Sequence, residues 1–146
     1  MENGKMMTSC SIEESLQYIL FLTRHISKED VPNMILIVLL ELNFQPNLDG
    51  FEYLRDSIER KVENRRQRVN AILMELASMY EEGIDYSNIE QSIRHCIRAA
   101  WRRRDEEKWI KYLTSDFYSR GKPSNAYFIS QMACLAELWQ SCQCAE

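Results

Sequence analysis

The stretch from Ser87 to Trp101, SNIEQSIRHCIRAAW, leaves little choice of secondary structure. Ile89, Ile93, Cys96, Ile97 and Ala100 recur at spacings of three and four, a stripe that an α-helix gathers on one side. Gln91, Arg94, His95, Arg98 and Arg102 recur in the same way and point the opposite way. The rest of the chain must therefore supply a core for one face of this helix, while the other presents a row of long hydrogen-bond donors. Such a row suits the major groove of double-stranded DNA, where arginine and glutamine can each meet a base edge with two hydrogen bonds.

The same period runs through the other segments. Ser11 and Glu14 form a capping box for a helix that continues to about Ile26. Asp30 and Pro32 start a second helix over Val31 to Phe44. Asn43 to Gly50 reads as a turn, followed by helices from Phe51 to about Arg66 and from Val69 to about Tyr80. Gly83 breaks the chain before the opening feature, where Ser87 and Glu90 have capping-box spacing in a helix that extends to about Arg104. A sixth segment spans Asp105 to Phe117, and Ser124 caps a last helix from Asn125 to about Gln140. No strand alternation appears, and four glycines and three prolines in 146 residues are few. The expectation is an all-α fold: a compact bundle of about six to seven helices in which the fourth and fifth form a helix-turn-helix.

Several function classes fall away. The two histidines are far apart, and there is neither a glycine-rich phosphate loop nor a nucleophile paired with a base. No catalytic residues, metal ligands, cofactors or small-molecule substrate are therefore expected. The longest apolar run, Met34 to Leu40, is far short of the roughly 20 residues that cross a bilayer, and no secretory signal opens the sequence. A cytoplasmic protein that engages no membrane is expected, with its five scattered cysteines reduced. The net charge of −4 argues against a DNA partner until its distribution is considered. Arg55 to Lys122 holds 15 of the 18 Lys and Arg residues but only 12 of the 22 acids, which permits a basic face on an acidic chain.

Three blocks carry a family resemblance: ILIVLLELNFQPNLDGFEYLRDSI at Ile35 to Ile58; Ile89-Glu90, Ile93-Arg94-His95 and Ala100-Trp101; and Lys122-Pro123-Ser124-Asn125 with Phe128-Ile129. In these the chain from Met34 onward resembles the C-terminal effector domain of the stage-zero sporulation response regulator family. The resemblance implies an all-helical domain that binds tandem DNA boxes through a recognition helix. It places Glu90, Arg94 and His95 toward the groove, Ser87 and Asn88 where the helix N-terminus approaches phosphate, and Lys122 beside the DNA backbone. Arg98 joins them by helical spacing alone.

Three departures stand out. Gln91 occupies a position where the family has arginine, and glutamine prefers adenine where arginine prefers guanine. The turn from Glu81 to Tyr86 is about two residues longer than in the family. The residues before the resemblance lack the acidic pocket of that family's phosphorylatable receiver domain, so control without phosphorylation in cis is expected. The organisation expected is an N-terminal segment, 1–30, with one helix that either completes the core or docks a partner, and a DNA-binding domain, 31–146. The function expected is sequence-specific transcriptional regulation, with copies pairing as homodimers on tandem sites. The alternative is a helical protein-interaction module that has lost DNA binding.

Overall fold

Eight helices and no strand make up the described residues, 9–80 and 83–144 of a computed structural model. Helix α1, Ile12–Leu22, opens with the expected capping box: Ser11 Oγ accepts from the Glu14 amide, and the Ser11 amide donates to Glu14 Oε1 at 2.9 Å. It stops at Thr23, short of the expected Ile26. The Thr23 hydroxyl donates to the Ile19 carbonyl at 2.7 Å and accepts from Trp139 Nε1 at 2.8 Å, so a tertiary bond to the far end of the chain holds the last turn.

Helix α2, Val31–Glu41, begins as expected, with Asp30 accepting from the Asn33 amide and Pro32 in the first turn. It ends before Phe44 because Asn43 turns left-handed at φ 70°. The amides of Phe44 and Asn43 then bond to the carbonyls of Leu39 and Leu40, closing a Schellman end. Helices α3 (Asp49–Glu63), α4 (Val69–Met79), α5 (Tyr86–Arg102) and α8 (Asn125–Cys144) lie close to their expected places.

The expected sixth segment is instead two helices, α6 (Glu106–Leu113) and α7 (Ser115–Ser119), which raises the count to eight. Thr114 between them has φ 86°, unusual for a β-branched residue. Its hydroxyl accepts from the Phe117 amide and thereby caps α7. The Ser115 amide leaves the helical ladder and donates to the Cys10 carbonyl at 3.1 Å. The kink is thus tied to a residue more than one hundred positions away.

Helix α3 is central, packed chiefly against α5 and α8 and also against α2 and α4. Its buried Phe51, Leu54 and Ile58 share one core with Ile89, Ile93 and Ile97 of α5 and Phe128, Met132 and Ala136 of α8. Each such Leu, Ile, Phe or Met side chain contributes about 1.5–3 kcal/mol on burial. An aromatic group fills one end: Phe44 lies 5.1 Å from Phe128, and Trp101 meets Trp109 edge-on at 5.2 Å.

Helix α1 packs against α6 and α8 and buries Ser15, Leu16 and Ile19. Its outward aromatics, Tyr18 and Phe21, are 43% and 67% exposed, but a cation lies over each: Lys111 is 4.6 Å from the Tyr18 ring and Arg24 4.1 Å from the Phe21 ring. Among the described residues, no helix is long and apolar enough to cross a membrane.

Candidate nucleic-acid interface

The start of α5 is set by Asp85. Its carboxylate accepts from the Asn88 amide at 2.9 Å, and the Asn88 side chain accepts from the Asp85 amide at 3.0 Å, which makes a reciprocal capping box. This corrects the expectation that Ser87 caps the helix and Glu90 closes the box. A carboxylate at the N-terminus also gains from the helix dipole, and the Tyr86 hydroxyl donates to Asn70 Oδ1 on α4, which holds the first turn two residues earlier than expected. Ser87 is left exposed within the first turn, and Glu90 is released from capping. Glu81 and Glu82, and with them the length of the turn before α5, lie outside the described residues.

The apolar stripe is buried as expected: Ile89, Ile93, Cys96, Ile97 and Ala100 are at most 1% exposed. Burial pushes the Cys96 thiol up to about 11, so it stays protonated and acts as a small apolar group. The seating on α3 is unusually close. A Cβ on Gly50 would overlap the Ser92 carbonyl and come within 2.9 Å of the Ile93 nitrogen, so only glycine lets the two backbones meet. With one side of α5 locked in this way, the direction of the other is fixed as well.

Outward point Ser87, Asn88, Gln91, Arg94, His95 and Arg98, all exposed. Two clefts flank this row. On one side Asn47, Leu48 and Asp49, where the chain enters α3, lie next to Asn88, Gln91 and His95. On the other, Glu90 and Arg94 share a cleft with Lys122 to Ala126 and with Val69 and Asn70. Here the first turns of α4 and α8 come together with Lys122, giving free amides, two helix dipoles and an ammonium group within one depression. Sequence spacing could not bring Lys122 next to α5.

Glu90 is tied down at two points. Its main-chain carbonyl accepts from Asn125 Nδ2 at 2.9 Å, and its carboxylate pairs with the Arg94 guanidinium one turn on. The Asn125 bond, linking α5 to the start of α8, has no signal in the sequence. Among the described residues no acid pairs with Arg98, Arg102 or Lys122. Other cations have structural work. Arg65 pairs with Glu137 at 2.8 Å and Arg60 with Glu75 at 3.5 Å. Arg104 lies 4.0 Å over the Trp101 ring and donates to the Tyr118 hydroxyl at 2.8 Å. No group of three or more His, Cys, Asp or Glu side chains among the described residues could hold a metal ion.

The arrangement can offer base edges paired donors from Gln91 and Arg94, and phosphates a cationic depression at one flank. The family model for the sporulation initiation factor Spo0A C terminal matches residues 35–135. No solved structure matches the chain.

Proposed function

The chain belongs to the Spo0A C-terminal family, the DNA-binding effector domain of a sporulation transcription factor, and on that premise we propose that it reads double-stranded DNA sequence-specifically through α5. In this reading α5 lies in the major groove, with Arg94 and Gln91 on base edges and His95 and Arg98 along the same face. Ser87 and Asn88 approach phosphate at the helix N-terminus, where Asn88 keeps its amide N–H donors because capping uses only its oxygen. Lys122 grips the backbone with the amides that open α4 and α8. The family is one of transcription-factor domains and not of enzymes.

The observation that carries this reading is the division of α5 into a face sealed onto α3 through Gly50 and a face of exposed donors flanked by the Lys122 cleft. Such a helix is rigid enough to place a guanidinium against one base, which contributes about 1–3 kcal/mol of discrimination. Copies on tandem sites would pair as homodimers along the DNA.

Titration of promoter fragments across a salt series tests the proposal. Log affinity is expected to fall linearly with log salt. Arg94→Ala should weaken binding to a preferred site about tenfold to a hundredfold, with a smaller loss on random-sequence duplex. Absence of binding to every fragment at low salt would instead favour a protein-interaction module, the reading that the net charge of −4 supports.

A further inference from the structure

We propose that Glu90 is a positioning residue for Arg94: its carboxylate holds the guanidinium in one orientation and so makes Arg94 selective for a base instead of for phosphate. The inference rests on the DNA-reading proposal and names what sets the selectivity of that same site.

The geometry is asymmetric. The Glu90 side chain is 24% exposed, that of Arg94 47% exposed. Glu90 is anchored from behind by the bond from Asn125 to its carbonyl, and Asn125 is the first residue of α8. The carboxylate is the shorter and less exposed partner on a turn whose backbone is pinned to α8, so Arg94, longer and more exposed, is the one that is steered. A glutamate one turn N-terminal to an arginine is also the favourable order for such a pair. Asp85 and Asn88 already cap the helix, so the Glu90 carboxylate has no capping duty that would explain its place.

Arginine carries five N–H donors in a planar fork. With part of the fork held by Glu90, another edge remains for two parallel bonds to a base. An unheld guanidinium on an exposed helix face would reach any nearby phosphate. Glu90 also discourages phosphate contact directly, because it is the sole acid in α5 and lies in the cleft with Lys122. That repulsion acts on any duplex alike, and the choice of site comes from the hold on Arg94.

The test uses the full chain and two duplexes: one enriched by the wild-type protein from a random-sequence pool, and one of random sequence. Glu90→Ala should lower the ratio of the two affinities about tenfold, mainly by tightening random-sequence binding, and should steepen the salt dependence by about one charge. Glu90→Gln, which keeps a carbonyl acceptor for Arg94, should recover part of the ratio. In an Arg94→Ala background, Glu90→Ala should leave the ratio unchanged. A further loss of ratio in that background would overturn the proposal, since Glu90 would then be reading a base itself. Equal weakening on both duplexes with a lowered Tm would also overturn it, in favour of a structural role. If Arg94→Ala abolishes discrimination while Glu90→Ala preserves it, the positioning role fails and the DNA reading survives. A wild-type protein that enriches nothing defeats both.

Discussion

Two surfaces of the molecule differ in charge. The exposed face of α5 carries Gln91, Arg94, His95, Arg98 and Arg102 against one acid, Glu90, which is itself paired. The groove between α3 and α4 is lined by Asp56, Glu59 and Glu63, with Arg60 among them. There, burial and then the neighbouring Asp56 hold the Glu59 carboxyl above its usual range. Burial, and a hydrogen bond to Asp56, likewise raise the Tyr80 hydroxyl. The net charge of −4 is thus no measure of the face that DNA would meet, because the two surfaces differ in local balance and most of the excess acids lie outside Arg55 to Lys122.

The contrast depends on the joint between α3 and α5, so the largest effect is expected there. Gly50→Ala should destabilise the protein by about 3 kcal/mol, read as a fall in Tm, because the obstacle to the new Cβ is the backbone of Ser92 and Ile93, which cannot rotate aside. A DNA-binding loss larger than the unfolded fraction explains would show that the seating also aims α5. An unchanged Tm would mean that the two helices can separate and that the outward face of α5 is not held rigid.

A smaller effect is expected in the acidic groove. A carboxylate whose pKa is higher in the folded state than in the unfolded chain favours folding when protonated and opposes it when ionised. Its stabilising share is fully present below the usual value of 4.5 and is lost as pH rises through the folded value. Glu59→Gln should therefore raise Tm slightly at neutral pH and leave it unchanged below 4.5. Its effect on DNA affinity should be negligible at physiological salt, where exposed charges more than about 8 Å apart are screened. A clear gain in affinity would show that the acidic groove and the α5 face do not act separately.

How far the fold could be read in advance follows from where its signals lie. The stripe from Ile89 to Ala100, the Ser11–Glu14 box and the Asp30–Pro32 start are local patterns, and each appears where the spacing placed it. The early end of α1 and the break at Thr114 are decided by Trp139 and Cys10, each more than one hundred residues away, and nothing near them in sequence announces it. The cap of α5 was expected at Ser87 and lies two residues earlier at Asp85, where the Tyr86 hydroxyl also reaches Asn70 on α4, a contact that spacing does not announce. In the candidate interface, periodicity identified the outward row, and the i to i+4 spacing of Glu90 and Arg94 was visible. The Asn125 anchor and the cleft shared with Lys122 exist only once α8 returns to α5.

The central claim is that side chains of α5 read base edges, and Gln91 tests it most directly because it lies on the outward face and its exchange for arginine has a stated chemical consequence. Wild-type protein and Gln91→Arg would each be used to enrich duplexes from the same random-sequence pool. Both are expected to yield a motif, differing at one position where adenine gives way to guanine. Identical motifs, or enrichment of no motif by either protein, would contradict it.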